Sequence, residues 1–216
     1  MKKIITQVLG AGLGFLFIYA PALQGKGQDP DKTSSVTQYH LDPQQSTVHF
    51  VSVKDKNVKV PGLFKIISGK IRMIPLDNNM VEVNHASISI DIDSVETRLE
   101  ERDQNIRRYF FETDKNHSYK KANFVLNEPL RINLKKTKHK ALLKGTLNLH
   151  GRKGPLSIPI SIVQGKEGWR IKNQQPVKIE FEKWSFFKSV NKLMKMCGHK
   201  ELESSADINF DLLFIP

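Results

Sequence analysis

Apolar and polar residues alternate with a period of two in most segments of the chain after residue 38. The clearest alternation is in the last segment, Ala206–Phe214, where Ile208, Phe210 and Leu212 are separated by single polar residues. This period places successive side chains on opposite faces of a β-strand. Eight or more such segments, joined by short turns, predict an antiparallel sheet with one apolar face that closes on itself. We therefore predict a mainly all-β fold, an antiparallel eight-stranded barrel.

One predicted strand interrupts this alternation. Val48 and Phe50 are two residues apart, but Val51 and Val53 follow one residue out of step. An extra residue in one strand shifts its alternation and produces a β-bulge. We therefore predict a β-bulge between Phe50 and Val51.

Residues 97–111 lie between predicted strands, and their apolar residues have helical spacing. Leu99 and Ile106 lie seven residues apart, and two aromatic residues follow on the same face. Thr97 and Glu100 have the spacing of a capping box, in which each side chain bonds the other residue's backbone amide. The pattern predicts a short helix near residues 97–111 that covers the barrel. A solvated connecting helix fits the same pattern.

The N-terminal part of the chain has a different composition. Residues 1–22 contain two lysines, an apolar run and a small-x-small cleavage site that ends at Ala22. We expect a cleaved secretory signal peptide, and hence a periplasmic or secreted protein; an uncleaved anchor is the alternative, although the apolar run is short for a membrane span. Residues 23–38 have almost no large apolar side chains and are expected to form a flexible leader. Residues 39–216 are then a single barrel domain.

The predicted inward-facing residues are almost all Ile, Val, Leu and Phe. A barrel of eight strands has an interior that holds either its own side chains or one small ligand. Because these inward-facing residues are apolar, a ligand in this interior must be mostly hydrocarbon. Burial of its apolar surface stabilises the complex by about 25 cal/mol per Å². A solid core without a ligand is the alternative, and each candidate wall residue also fits an ordinary core. The candidate wall residues are Val48, Phe50, Phe64, Ile88, Ile90, Phe110, Phe124, Trp184 and Phe210.

The chain is strongly basic, with a formal net charge of +12 that becomes +10 when the signal peptide and its two lysines are removed. Clustered lysines attract anionic lipid headgroups or a pyrophosphate, so an anionic membrane surface is an expected partner. A soluble basic surface without a partner fits as well, and a homodimer is left open. Nucleic acid is not expected, because the chain is secreted and has no nucleic-acid motif. The two clusters are Lys135, Lys136, Lys138 and Lys140 in one hairpin, and Lys183, Lys188, Lys192, Lys195 and Lys200 around Phe187.

One short segment contains side chains that bind soft metal ions. Met194, Met196, Cys197 and His199 lie within six residues, and thioether, thiolate and imidazole groups together suit Cu(I). However, Met194 and Cys197 also have helical spacing with Val190, so a packed amphipathic helix explains most of the pattern. We therefore predict no metal site.

The chain has none of the short catalytic motifs that a sequence can reveal. It contains no G-x-S-x-G, no H-E-x-x-H and no glycine-rich phosphate loop. We predict a non-catalytic protein without a cofactor. The single cysteine, Cys197, also excludes an intrachain disulfide in the oxidising compartment to which the chain is expected to go.

Several segments together carry a resemblance to a known family. In chain order they are Tyr39–Pro43, Ser46–Phe50, Gly62–Phe64, Ser68–Gly69, Ile92–Thr97, Glu101–Asp103, Ile106–Phe111, Lys144–Gly151 and Pro155–Ile158. Their order and spacing resemble those of the YceI family of bacterial periplasmic lipocalin-like proteins, also called polyisoprenoid-binding proteins. The resemblance extends from Tyr39 to about Ile215.

This resemblance implies a lipocalin-like barrel that is closed at one end and holds a long polyprenyl or fatty amphiphile. We therefore expect a periplasmic carrier or reservoir for a polyisoprenoid, an isoprenoid quinone or a fatty-acid-like lipid. The alternatives are a ligand-free interaction module and, less favoured, an enzyme acting on a sequestered lipid. Arg102 and Arg107 could orient a headgroup or tie the helix to the sheet through ion pairs, and Asp103 is expected to make such a tie.

Overall fold

The computed structural model describes residues 35–198 and 201–216. The predicted signal peptide (1–22), most of the predicted leader (23–34), His199 and Lys200 lie outside the described residues. The first strand begins at Thr37, so the last two residues of the predicted leader belong to the barrel. Within the described residues, neither α-helix is long and apolar enough to cross a membrane.

Thirteen strands make up most of the described chain. They are β1 (Thr37–Leu41), β2 (Thr47–Lys54), β3 (Val58–Phe64), β4 (Ile67–Leu76), β5 (Met80–Asp91), β6 (Val95–Glu96), β7 (Lys121–Leu126), β8 (Leu130–Asn133), β9 (Lys138–Leu149), β10 (Arg152–Gln164), β11 (Trp169–Asn173), β12 (Val177–Glu180) and β13 (Leu202–Ile215). The helical elements are α1 (Glu100–Asn105), a π-helical turn (Ile106–Phe110), α2 (Phe187–Cys197) and short 3₁₀ turns at Ile92–Ser94, His117–Lys120 and Phe181–Trp184.

Eight of these strands form a closed antiparallel ring in the order β1-β4-β5-β7-β9-β10-β11-β13. The ring closes because β1 also pairs with β13, where His40 lies opposite Ile215. The β2–β3 hairpin extends the sheet from β13, and β8 and β12 pair with β5 and β13. The predicted eight-stranded antiparallel barrel is therefore confirmed. Closure gives every strand of the ring a paired neighbour on both sides, and β5 and β13 are long enough to pair with further strands beyond the ring.

The bulge predicted in β2 is wrong. The pairing of β2 with β3 is continuous, and every second residue from Val48 to Lys54 faces the barrel interior. Val51 and Val53 therefore lie on the outer side of the strand, where both are half-buried. The irregularity is in the partner strand, between Leu202 and Ala206 of β13, where four residue steps lie opposite two steps of β2.

The helix predicted near residues 97–111 is present, but it begins later and is not capped as predicted. Leu99 is the N-cap residue of α1 and makes no side-chain cap hydrogen bond, so the predicted capping box of Thr97 and Glu100 is wrong. Because the backbone of Leu99 is extended, its side chain leaves the helical face and is 53% exposed. Ile106 and Phe110 do pack against the core, as their spacing indicated.

The barrel has two different ends. At the turn end (Asp77–Asn79, Leu134–Thr137 and 164–168), the Leu134 amide donates to the Asn79 carbonyl at 2.8 Å and the Gln164 amide to the Thr137 carbonyl at 3.0 Å. The helical end is formed by α1, the π-helical turn and α2. Strand β9 connects the two ends, and its 12 residues span about 40 Å at ~3.3 Å per residue.

Gly145 allows β9 to approach β7 more closely than a larger residue would permit. A Cβ atom at this position would lie 2.5 Å from the backbone oxygen of Val125 and would also overlap the Phe124 ring. We expect Gly145→Ala to lower the free energy of unfolding by about 1–3 kcal/mol, because overpacking displaces neighbouring atoms. The measurement is urea denaturation at equilibrium. Gly165→Ala is the control, since a Cβ there meets its nearest atom at 3.8 Å. Equal stability of the two variants would contradict this packing.

Candidate functional site

An apolar cavity of about 270 Å³ occupies the barrel interior. Its wall is made mostly of Ile, Leu, Val, Phe and Ala side chains, most of them from strands on all sides of the barrel. The cavity extends from Ile132, Ile162 and Ile171, in the strands that lead to the turn end, as far as Leu193 and Cys197 of α2. The cavity is therefore elongated along the strands, and helical residues line it at one end.

The structure brings eight of the nine candidate wall residues together around this cavity. They are Val48, Phe50, Phe64, Ile88, Ile90, Phe110, Phe124 and Phe210. The ninth, Trp184, is buried but lies elsewhere: its ring is so close to Gly154 that a Cβ there would come within 2.7 Å of it. Trp184 belongs to a 3₁₀ turn, whose side chains do not follow the period of two on which the prediction relied. That the eight residues contact a ligand stays a prediction.

The polar residues of the cavity wall all lie at the helical end. Ser52 and Lys54 are at the end of β2, Arg102 is in α1, and Cys197 is the last residue of α2. The Cys197 Sγ atom accepts a hydrogen bond from Asn105 Nδ2 at 3.7 Å. Ser52 and Lys54 are not among the predicted wall residues, because the predicted bulge places a phase change before them. Continuing the alternation of Val48 and Phe50 would have found both.

Thr97 connects α1 to the strand before it. The Thr97 amide and hydroxyl donate to Asp103 Oδ1 at 2.8 and 2.5 Å, and Arg102 Nε donates to the Thr97 hydroxyl at 2.7 Å. Asp103 is only 3% exposed, so these hydrogen bonds satisfy a buried carboxylate. Asp103 thus ties the helix as expected, but through Thr97 and not through the ion pair that was predicted. Arg102 takes part in this tie and also lines the cavity.

Arg107 does not reach the cavity. Its Nη2 atom pairs with Glu100 Oε1 at 2.8 Å, and the two residues face a separate surface groove that also contains Lys65 and Asp93. The hydrogen bond from Arg107 is the main cause of the lowered pKa of Glu100, which is exposed. The structure therefore separates Arg107 from Arg102, the other residue considered for a headgroup.

The structure describes three of the four residues considered for a metal ion. Cys197 lines the cavity, Met194 is half-buried, and Met196 is 55% exposed. His199 lies outside the described residues. No group of three or more His, Cys, Asp or Glu side chains within residues 35–198 and 201–216 could hold a metal ion. The predicted amphipathic helix through Cys197 is present as α2.

A stack of aromatic rings holds the segment that precedes α2. The ring of Phe186 lies 4.5 Å from Phe110 on one side and 4.5 Å from His150 on the other, and Tyr119 stacks on His150 at 4.0 Å. Phe110 and Phe186 also line the cavity. His150 is 8% exposed, its ring nitrogens have no hydrogen-bond partner within the described chain, and Nε2 lies 4.0 Å from Glu112 Oε2. Burial lowers the pKa of His150.

An eight-stranded antiparallel barrel with an apolar cavity and helices over one end defines the lipocalin-like class of barrels. The chain belongs to the YceI family, because the sequence profile of the YceI-like domain matches residues 39–214. The family inferred from the spaced motifs is thus confirmed. Comparison with the curated proteins gave no match.

Solved structures with this fold include three from different bacteria. A polyisoprenoid-binding domain from Saccharophagus degradans, implicated in plant cell wall breakdown, is 23% identical, with a TM-score of 0.69 over 82% of this chain and 97% of that chain. BcnA from Burkholderia cenocepacia is 18% identical, with a TM-score of 0.60 over 80% and 98% of the two chains. The YCEI protein of Campylobacter jejuni is 20% identical, with a TM-score of 0.52 over 73% and 85%. At these identities the likeness shows the fold.

The buried imidazole of His150 makes stability depend on pH. Burial lowers the pKa of His150 in the folded protein, so the unfolded chain binds more protons once the pH falls below about 6.5. We expect the free energy of unfolding to decrease from about pH 7 to about pH 5. His150→Phe retains a ring in the stack but does not titrate, so its stability should decrease less. The measurement is urea denaturation of both proteins at the two pH values.

Backbone strain in His150→Phe does not affect the comparison between the two pH values. Residue 150 has a positive φ of 51°, so a phenylalanine strains the backbone, but this cost is the same at both pH values. Tyr119, Glu112 and Lys115 act on His150 in both measurements. The exposed His117 serves as the control, and His117→Phe should retain the pH dependence of the original protein. A parallel loss of stability in His150→Phe and the original protein would contradict the prediction.

Proposed function

We propose that the protein binds a long-chain apolar amphiphile inside the barrel and acts as a carrier or reservoir for it in the periplasm. The observation that supports this most is the cavity itself, which is apolar along the barrel and polar only at the helical end. Such a cavity matches a ligand with a hydrocarbon tail and one polar head. The tail would lie along the strands, and the head would lie near Ser52, Lys54 and Arg102.

Apolar burial alone can provide the affinity that this function needs. Each Å² of tail removed from water contributes about 25 cal/mol, which must exceed the cost of immobilising the ligand. The barrel is already closed by its own hydrogen bonds and does not have to fold around the ligand. Polar groups are then needed only to orient one end of the molecule, which is what the few polar wall residues can do.

The composition of the cavity wall favours binding over catalysis. Among residues 35–198 and 201–216, the ionisable residues of the wall are Lys54, Arg102 and Cys197, and none is a carboxylate or a histidine. General acid–base catalysis most often uses a histidine or a carboxylate within hydrogen-bond reach of the reacting atom. A ligand-free interaction module is the second candidate. It requires a filled barrel, and the cavity is evidence against it.

Two further observations support a particular class of ligand and a cellular location for the protein. The Saccharophagus degradans domain with the same fold is described as polyisoprenoid-binding, which makes isoprenoids the first class to test. The predicted signal peptide supports a location in the periplasm, where a hydrophobic tail cannot cross the aqueous space without a carrier. Isoprenoid quinones and fatty-acid-like lipids have the same combination of tail and head and remain in the proposed class.

Native mass spectrometry of the mature protein tests this proposal directly. We expect a stoichiometric adduct that organic solvent releases, with the mass of a long isoprenoid or acyl chain. If the purified protein is empty, it should acquire such an adduct on incubation with quinones, polyprenyl phosphates or fatty acids. A bare mass after all of these incubations would contradict the proposal and favour the ligand-free interaction module.

A substitution that occupies the cavity should remove the ligand without unfolding the protein. Ala206 of β13 lines the cavity, so Ala206→Phe places a ring in the space proposed for the tail. We expect at least tenfold lower affinity for the ligand, because the displaced tail loses its apolar contacts. Val125→Phe is the matched control, since Val125 faces outward and is 42% exposed. Equal ligand occupancy in the two variants would place the ligand outside the cavity, and urea denaturation checks that both are folded.

A further inference from the structure

Helix α2 presents a basic face to solvent. Lys188 and Lys195 are exposed and lie seven residues apart, so they are about two helical turns apart on the same face. Neither has an ion-pair partner within the part of the chain that the structure describes, and α2 contains no acidic residue. Lys192, between them, is 3.8 Å from Glu112 and lies over the Tyr109 ring. The outer face of the helix therefore carries positive charge that the protein itself does not neutralise.

Large apolar side chains flank this basic face. Phe187, at the start of α2, is 71% exposed, although the preceding Phe186 is only 1% exposed. Met196 is 55% exposed and lies nine residues from Phe187, which places the two on opposite margins of the lysines. An exposed phenylalanine beside unpaired lysines is unfavourable in water and matches a surface that is both apolar and anionic.

We propose that the helical end of the barrel docks onto an anionic lipid bilayer. The lysines of α2 contact lipid phosphates, while Phe187 and Met196 enter the boundary between headgroups and acyl chains. If the proposed function is correct, docking also places the polar end of the cavity against the membrane. The ligand then exchanges between bilayer and barrel past α1 and α2, and its tail does not cross water.

The turn end carries a similar charge but is a poorer docking surface. Five lysines lie there or nearby, yet the apolar residues beside its turns are only 37–39% exposed: Leu76, Leu134 and Val163. No residue of the three turns at that end lines the cavity within the described chain, whereas α1 and α2 contribute to its wall. Strand β9 separates the two ends by about 40 Å, so one docked end keeps the other away from the membrane.

Vesicle binding by charge variants tests which end docks. Sedimentation with vesicles of phosphatidylcholine and phosphatidylglycerol should recover the protein, and vesicles of phosphatidylcholine alone should recover much less. We expect the double variant Lys188→Gln, Lys195→Gln to bind about 30-fold more weakly, since each lysine near an anionic surface contributes about fivefold. The double variant Lys135→Gln, Lys136→Gln removes the same charge at the turn end and should change binding by less than about threefold. Equal losses, or a larger loss at the turn end, would overturn the proposal.

The depth to which a side chain enters the bilayer is a second measurement, and it does not depend on charge alone. Phe187→Trp places a fluorescent ring at the proposed contact, and Leu134→Trp places one at the turn end; both positions are exposed, so neither change disturbs the core. Relative to the original protein, whose Trp169 and Trp184 are buried, brominated acyl chains should quench the variant at 187 more strongly and the variant at 134 to the same extent. Quenching at 134 alone, or at neither position, would contradict docking by the helical end. The proposed ligand binding is measured without vesicles, so it can hold even if docking fails.

Discussion

The pairing of β1 with β13 is the interaction on which the rest of this structure depends. It joins the first and last strands, so a sheet that would otherwise have two edges becomes a closed ring. In a closed ring, one face of every strand must point inward and its polar backbone groups are satisfied between neighbours. The interior is then apolar wherever the inward-facing residues are apolar, and their side chains need not fill it completely. The cavity follows from closure together with a period of two.

The helical end is held by interactions that differ from those of the barrel. Thr97 joins α1 to the strand before it through Asp103 and Arg102, and the aromatic stack joins Phe186 to the π-helical turn. These are few contacts compared with a twelve-residue strand, and one of them includes a buried histidine without a hydrogen bond. Local stability is therefore expected to be lowest at the helical end, which is the end proposed for ligand entry.

The positions of the polar wall residues and of the most exposed aromatic side chain agree with this division of the molecule. The polar wall residues, the unpaired lysines of α2 and the exposed Phe187 are all at the helical end, whereas the opposite end has tight turns joined by backbone hydrogen bonds. The proposed tail-binding interior and the proposed membrane-facing entrance are complementary, because transfer of a lipid is costly only where its tail meets water. The same end thus combines the features needed to hold a headgroup and to approach a bilayer.

The sequence by itself determined the barrel, its family and most of the cavity wall. A period of two is a local property, so residues such as Phe50, Ile88 and Phe210 could be placed without knowing which strands pair. Only the tertiary structure decided the positions that depend on distant partners. Lys54 faces inward because the irregularity is in β13, and Trp184 leaves the cavity because its segment turns toward Gly154. Thr97 bonds to Asp103 and does not cap α1, because a buried carboxylate needs donors that spacing along the chain does not reveal.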